Sequence, residues 1–450
     1  MTLAFKFLYR LYRAISTVRY WGYRRFTRAG LGVLAAFILT GIMAPDTDNN
    51  VAYQAFTFLL LLLVLAFCSS FVFRVRFSAT RFLPRLGTVG APLVYSVVLK
   101  NLSAKTQSGL AVLENLADSR PSFTDWLAVQ LAYEQRARSF RFSPSRRSNP
   151  FKLAVLKIAP VPDARPRQEV EVQCELTPLR RGLLRLDGIT LARPDPLGLF
   201  RAFAEVPLSQ SVLILPKRYP LPPIPLPGTM KYQQGGIALA SNVGQSDEFV
   251  ALRDYRRGDP LRHIHWRSWA RAGKPVVKEF EDEFFVRHAL VLDTFVEHLH
   301  SDAFEEATSV ASSFACTIPD QESLLDLLFI GSESYCFTAG RGIAHSQQLL
   351  EILASVRPGQ ERSFEKLERL VLNHISKVSG CVFVFLAWDQ QRREFVRKIR
   401  ALGVPMLVLV VVESGKATLP DAQEPGDRPE RFAILECGKI EQGLAQLTST

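Results

Sequence analysis

The chain is poor in cysteine and histidine, and its first 86 residues hold almost no acid. Six cysteines (Cys68, Cys174, Cys316, Cys336, Cys381 and Cys437) are scattered over 450 residues, and no two stand at CxxC spacing. That spacing speaks against a zinc ribbon or a disulfide framework and fits a reducing compartment. Several of them sit inside apolar runs, where cysteine behaves as a small buried hydrophobe. No GxSxG elbow, phosphate-binding loop or HExxH motif occurs, so the common hydrolase and nucleotide-binding signatures are missing. A triad assembled in space would leave no such trace. Between Met1 and Leu86 the only acids are Asp46 and Asp48, against eleven Lys and Arg, which places +9 of the formal +12 there. The rest of the chain is nearly balanced. This excess flanks apolar stretches, where it sets membrane topology, and is poor support for a nucleic-acid partner.

What is abundant is apolar sequence: hydrophobic residues make up 48% of the chain. Two stretches, Ala29–Ala44 and Val51–Phe73, are free of charge apart from their flanks, and the second contains the run Phe58–Phe67. At about 1.5 Å per residue the second is long enough to cross about 30 Å of hydrocarbon; the first is short unless Trp21, Tyr23 and Phe26 extend it at the interface. Between them Pro45–Asn50 carries no Lys or Arg, whereas both outer flanks are Arg-rich. The positive-inside rule then predicts a two-helix anchor over residues 29–73 with both ends in the cytoplasm and a lipid bilayer as partner. A cleaved signal peptide is disfavoured by the long basic region, by Pro45 after the cut and by the second span. Within the basic tail, residues 1–28, the segment Phe5–Tyr23 mixes aromatics with arginine. It reads equally as an interfacial helix on anionic lipid or as a loosely ordered tail.

From Leu86 to Leu215 the pattern changes to short alternating runs: Val94–Leu99, Glu169–Leu176, Leu183–Leu186 and Ser211–Leu215. With turns expected at Arg181-Gly182, Asp187-Gly188 and Arg193–Phe200, this predicts a β-sandwich-like middle domain interrupted by a helix or long loop over Phe123–Arg138. Residues 216–246 are rich in proline and then glycine and read as a linker.

Residues 247–283 form the most distinctive stretch, DEFVALRDYRRGDPLRHIHWRSWARAGKPVVKEFEDE. Asp259 is a good N-cap, Pro260 suits a first helical position, and Gly273 stands where a helix would end. Three readings are open. Arg253, Tyr255, Arg256, Arg262, Trp266 and Arg267 interleave basic and aromatic groups as a nucleic-acid site would. His263 and His265 form an HxH pair, weak as a metal site without a third ligand. The third reading is an internal salt-bridge and packing motif that joins the two domains, with the Trp266 indole in a core.

This stretch resembles the signature of the bacterial domain-of-unknown-function 58 family. The matching residues are Glu248-Phe249, Leu252-Arg253, Tyr255, Gly258-Asp259, Arg262, Ile264, Trp266, Ala270-Arg271 and Glu279. Two further elements of the family, Arg180-Arg181-Gly182 and Asp195–Phe200, also occur. Two departures are visible: Asp247 replaces the usual glycine before Glu-Phe, and His265 stands where an acid is common. The resemblance implies a multi-pass protein of the bacterial inner membrane, and it implies that residues 284–450 resemble a von Willebrand factor A-type domain. Their alternation of strand-like and helix-like segments independently predicts a doubly wound α/β sheet.

Domains of that type often hold Mg²⁺ through an Asp-x-Ser-x-Ser element after the first strand. Here the element reads Asp293-Thr-Phe-Val-Glu297, with Phe295 and Glu297 in place of the serines, and Asp389 falls where a second acid would stand. Asp293, Glu297 and Asp389 are therefore candidate cation ligands, while an acid at a strand end equally often caps the next helix. The expected function is a membrane-anchored interaction or adaptor protein rather than an enzyme. By resemblance, its expected partner is a MoxR-type AAA+ ATPase in complex assembly, maturation or envelope homeostasis. The alternatives are a divalent-cation-dependent hydrolase and a nucleic-acid-binding protein.

Overall fold

A computed structural model describes residues 2–43, 50–71, 73, 75–117, 120–138, 151–222, 249–257, 259, 261–280, 287–296, 301–320, 324–340, 343–359, 364–413, 429 and 431–448. The chain divides into two compact units, in essence residues 1–217 and 218–450.

The first unit begins with three helices, α1 (Thr2–Arg25), α2 (Arg28–Met43) and α3 (Asn50–Phe71). One of them, over Val51–Phe71, is long and apolar enough to cross a membrane. With 16 residues, α2 spans only about 24 Å at the helical rise. The expectation of two spans is thus met in length by one helix. Phe37 of α2 stacks on Phe56 of α3 at 4.9 Å, so the two helices lie side by side.

Nine strands follow among the described residues: β1 (Phe77–Phe82), β2 (Leu86–Thr88), β3 (Leu93–Asn101), β4 (Ala111–Leu116), β5 (Ala154–Leu156), β6 (Ala159–Pro160), β7 (Glu169–Pro178), β8 (Gly182–Pro194) and β9 (Arg201–Leu215). Helix α4 (Phe123–Arg138) is inserted after β4. The strands form two sheets, β1-β3-β7-β5 and β2-β9-β8-β4-β6. Alternate residues of each, such as Val97 and Leu99 on β3 and Leu184 and Leu186 on β8, are buried in one shared core. This is the period-2 pattern of a sandwich. Arg81 of β1 and Glu114 of β4 pair at 2.7 Å inside that core, with side-chain exposures of 0% and 3%. Arg81 also donates to the Leu208 and Gly188 carbonyls. Burial raises the Glu114 pKa although Arg81 opposes the shift.

Asp187-Gly188 is not the expected turn. Strand β8 runs straight through it, and the register against β9 shifts between Leu186 and Gly188. A Cβ on Gly188 would meet the Val206 carbonyl at 2.6 Å. The glycine therefore serves a bulge, with close backbone approach, rather than a reversal of the chain.

The loop Asp195–Phe200 joins the sandwich to the helices. The Asp195 carboxylate accepts hydrogen bonds from the backbone N–H groups of Leu197, Leu199 and Phe200 at 3.2, 2.7 and 2.7 Å. Folded this way, the loop offers its Leu199 carbonyl to the Thr27 N–H at 3.0 Å, and the Thr27 hydroxyl donates to the Gly198 carbonyl at 2.6 Å. Phe200 lies against Trp21, Phe26 and Phe67 with ring centres 5.2–5.9 Å apart. Gly30 is pressed so closely on Leu199 that an added Cβ would fall 2.0 Å from its carbonyl oxygen.

The second unit opens with a hairpin, β10 (Phe249–Asp254) and β11 (Val276–Phe280), which encloses the short helix α5 (Trp266–Ala272). Its α/β part comprises β12 (Arg287–Leu292), α6 (Asp302–Asp320), β13 (Leu324–Ile330), β14 (Ser334–Ala339), α7 (Ile343–Ser355) and α8 (Phe364–His374). It continues with β15 (Gly380–Phe385), α9 (Gln390–Ala401), β16 (Met406–Val412), β17 (Phe432–Glu436) and α10 (Ile440–Ala445). Six strands form one sheet in the order β14-β13-β12-β15-β16-β17, parallel except for the antiparallel edge strand β14. The central strands are buried along both faces: all six residues of β15 and all seven of β16 are buried. Two separate apolar clusters cover those faces, one built on α6 and α7, the other on α8 and α9. This is the doubly wound arrangement expected from the alternating pattern.

The contact between Gly30 and Leu199 gives a test of the junction. Gly30→Val cannot be accommodated without moving backbone, and a loss of about 1–3 kcal/mol is expected. Thermal unfolding of the purified full chain in mild detergent measures it; an unchanged midpoint would show that α2 does not rest on the Asp195 loop.

Candidate functional site

In an open parallel sheet, ligands are bound beyond the carboxyl ends of the strands, where the strand order reverses. Here that position lies between β12 and β15, and Asp293 follows β12 directly. Its backbone N–H donates to the Val384 carbonyl at 2.9 Å, which extends the β12–β15 pairing by one bond. Asp293 is wholly buried. Its Oδ1 accepts from the Phe295 N–H at 3.0 Å and its Oδ2 from the Leu386 N–H at 3.2 Å. Thr294, also buried, donates its hydroxyl to the Ile330 carbonyl of β13.

Arg392 reaches the same Oδ2, with its Nε and Nη2 at 2.8 and 2.6 Å. The third nitrogen, Nη1, pairs with the Asp389 carboxylate. The guanidinium lies over the Phe364 ring, 5.0 Å from its centre. Arg392 is only 6% exposed. Asp389 is the N-cap of α9 and accepts the Arg392 N–H at 3.0 Å, the role open to any acid at such a strand end. Local sequence explains the arrangement. The apolar strand β15 ends, Asp389 starts the helix, and position 392 lies one turn in, facing back toward the strand ends.

This geometry bears on the expected cation site. Asp293 and Asp389 do converge, but on a guanidinium, and Phe295 supplies only its backbone N–H. Glu297 lies outside the described residues. Among the described residues no group of three or more His, Cys, Asp or Glu could hold a metal ion. Arg392 already places a positive charge on one oxygen of each acid, Asp293 Oδ2 and Asp389 Oδ2, so the described residues do not fit Mg²⁺. Sequence reading missed Arg392; its signal was an arginine three residues after a helix-capping acid, in a helix otherwise charged on its outer face.

A second polar cluster stands at the opposite end of the same sheet, and sequence reading missed it too. Asp326, wholly buried on β13, accepts from Arg287 Nε and Nη2 at 2.6 and 2.9 Å, from the Thr338 hydroxyl at 2.7 Å and from His374 Nε2 at 2.7 Å. Burial opposes its ionisation, but the donors outweigh burial and hold its pKa below the usual carboxylate value. The hydrogen bond to Asp326 raises His374 to about 9, aided by the Cys336 sulfur 4.0 Å away. Both His374 contacts involve Nε2, so Asp326, His374 and Cys336 do not form a relay through the two ring nitrogens. The only sequence signal was a lone acid inside the apolar strand LLDLLFI.

The signature residues fall on the hairpin. Arg253 holds Asp259 in a bidentate pair at 2.7 and 2.9 Å, and the Arg256 N–H donates to the same carboxylate at 2.7 Å. The Arg253 contact, with the Arg256 N–H, lowers the Asp259 pKa to about 2. Asp259 therefore closes a turn and does not cap a helix. A 3₁₀ turn at Leu261–His263 follows, and α5 starts at Trp266 and ends at Gly273 with φ +67°, as the glycine position predicted. Trp266 is 65% exposed and stacks on Trp269 at 5.2 Å, so it is not the core residue expected of a packing motif. The buried apolar residues here are Ile264, Val276 and Val277. Tyr255 donates its backbone N–H to Pro275, and Arg271 is exposed at the end of α5. His265 Nδ1 lies 2.7 Å from the Ser268 hydroxyl, a local contact and not part of a ligand pair with His263. Glu248 and Gly258, and the side chains of Arg262 and Glu279, lie outside the described residues.

Comparison with known proteins gives a family match for this region. A family model described as "Protein of unknown function DUF58" matches residues 251–424, which takes in most of the hairpin and the sheet as far as β16. The chain is 27% identical over 192 residues to the uncharacterized protein YeaD of Bacillus subtilis (strain 168). That match covers 42% of this chain and 46% of YeaD, less than half of the relative. Among solved structures, the CARDB domain of PF1109 from Pyrococcus furiosus is 14% identical, covers 31% of this chain and 93% of its own, and has a TM-score of 0.17. A cohesin module of a Clostridium perfringens family 33 glycoside hydrolase is 10% identical, covers 31% of this chain and 98% of its own, and also has a TM-score of 0.17. Superposition that poor supports no structural argument.

Two outcomes are expected from this geometry. Asp293→Ala leaves the Arg392 charge buried without its main partner and should cost about 3–5 kcal/mol, whereas Asp293→Leu combined with Arg392→Met should cost much less. Urea unfolding of the three proteins decides it, and equal losses for the single and paired changes would show that the ion pair is not what holds this corner. For His374 the folded pKa is raised, so its contribution is fully present below the ordinary 6.5 and fades as pH rises through about 9. The stability difference between wild type and His374→Gln should therefore shrink over that interval; a difference independent of pH would rule out the protonated link.

Proposed function

We propose that the chain is a membrane-anchored cytoplasmic interaction protein of the domain-of-unknown-function 58 type, not an enzyme. One observation carries this reading. The end of the sheet where an α/β domain places its reactive groups is closed by Arg392, bound to both Asp293 and Asp389. A surface built this way can be recognised, while both of its described acids are held in ion pairs with Arg392. The sheet order with its antiparallel edge strand β14 is in keeping with a von Willebrand factor A-like domain. The arginine then supplies the positive charge that other such domains obtain from Mg²⁺.

The anchor is proposed as α2 and α3 together, crossing the inner membrane as a hairpin with the termini and both soluble units on the cytoplasmic side. The length of α3 and the basic flanks support this. The partner suggested by the resemblance is an AAA+ ATPase of the MoxR type, acting on complex assembly, protein maturation or envelope homeostasis. Hydrolysis assisted by a divalent cation is the weaker reading, because Asp293 and Asp389 are paired with Arg392. Nucleic-acid binding is weaker still, given how little net charge lies beyond the anchor.

The test is co-purification of the tagged full chain from mildly solubilised native membranes, with and without ATP. An AAA+ ATPase retained in a nucleotide-dependent manner is the expected result. Recovery of no ATPase under either condition would end the adaptor reading.

A further inference from the structure

The basic N-terminal tail forms a continuous helix, α1, from Thr2 to Arg25, and its residues sort into three faces. Between Ala4 and Tyr20 the partly buried positions are Phe5, Tyr9, Tyr12 and Ser16, at steps of four and three. Tyr9 and Tyr12 pack on Trp126 of α4 at 5.6 and 6.0 Å, and the Tyr9 hydroxyl donates to the Pro121 carbonyl at 2.7 Å. This face holds α1 on the sandwich. A second face carries Lys6, Arg10 and Arg13, all exposed. The third carries Phe7, Leu11, Ile15 and Val18, which are 68, 45, 57 and 68% exposed. At 3.6 residues per turn these four share one stripe, beside the basic face and turned away from the sandwich.

We infer that α1 lies in the headgroup layer of an anionic membrane, with the Phe7–Val18 stripe facing the acyl chains. The inference rests on the anchor proposed above and adds a second point of attachment. Three observations favour lipid over a protein partner. First, α1 and α2 are separated only by Phe26 and Thr27, so the helix ends where the apolar sequence begins. An element so placed is held at the bilayer surface whenever its neighbours are inserted. Second, no acid occurs before Asp46, while seven Lys and Arg lie between Lys6 and Arg28, the charge pattern that an anionic leaflet attracts. Third, the apolar surface continues past the stripe. Trp21 and Phe26 join Leu63, Phe67 and Phe200 around a cavity of about 220 Å³ with almost no polar lining, open beside α3. Tryptophan at that level suits the membrane interface, and the long basic side chains can keep their charges in the headgroups while their stems cover apolar surface.

Site-directed spin labelling of the full chain tests this. On a background of Cys68→Ser, Cys316→Ser and Cys336→Ser, single labels are placed at Leu61→Cys, Ile15→Cys and Arg13→Cys. The protein is reconstituted in vesicles of phosphatidylglycerol and phosphatidylethanolamine, and relaxation by oxygen is compared with relaxation by a water-soluble nickel chelate. Expected is an oxygen-to-nickel ratio at Ile15 severalfold above that at Arg13 and below that at Leu61, which lies at the middle of α3. The Ile15 ratio should fall when the vesicles are made of phosphatidylcholine alone. An Ile15 label as open to nickel as Arg13 places the stripe in water and overturns the inference. A label shielded from both agents means that protein, a second copy or another chain, covers it, which also overturns the inference. An equal ratio in both lipids removes the anionic headgroup from it. Nickel access at Leu61 would instead sink the anchor itself, so the two failures are distinguishable.

Discussion

The carboxylate of Asp195 is the point on which the first unit turns. A loop of Pro, Leu and Gly between two strands has no reason of its own to hold one shape. Three backbone N–H groups directed at one carboxylate impose a shape, and charge-assisted bonds of this kind are among the stronger ones available to a loop. Only then do the Leu199 carbonyl and the Phe200 ring face outward toward Thr27, Gly30 and the aromatic cluster of the helices. The Asp-Pro-Leu-Gly-Leu-Phe element is therefore the joint between a sandwich and a set of apolar helices. The need for aspartate, glycine and a large aromatic at fixed spacing follows from that task.

Much of the architecture could be read from pattern. The α/β half was legible as an alternation, because buried parallel strands are short, uniformly apolar and separated by amphipathic helices. The sandwich was legible as alternating runs. Reading failed where one residue type serves two geometries. Asp187-Gly188 looks like a turn because glycine permits one, but here the same freedom allows a bulge. Asp259-Pro260 looks like a helix start, but Arg253, six residues earlier, claims the carboxylate. The candidate site was legible in its acids and not in its base. Asp293 and Asp389 can be found from strand ends, whereas the partner that gives them meaning is 99 residues from one of them, on a different element. Pairing across such a distance leaves no periodicity in sequence.

The two polar clusters of the second unit divide the labour of the sheet. At the amino ends of the strands, Asp326 gathers Arg287, Thr338 and His374 and so ties β12, β13, β14 and α8 into one block. At the carboxyl ends, Asp293, Arg392 and Asp389 tie β12 to the start of α9. Both are inward-facing networks with their hydrogen bonds largely made within the chain. Such networks fix one arrangement of strands and helices. That rigidity suits a platform presented to another protein better than a pocket that must open and close around a substrate.

Arg392 has a consequence beyond its place in the fold. A guanidinium keeps its proton at any pH a cell attains. Unlike a bound ion, it cannot be chelated, exchanged for a competitor or lost when supply is short. The positive centre between the strand ends is thus fixed when the chain is synthesised. Its occupancy carries no information about the surroundings. If engagement of this surface is switched on and off, the signal has to arrive from the other side of the contact.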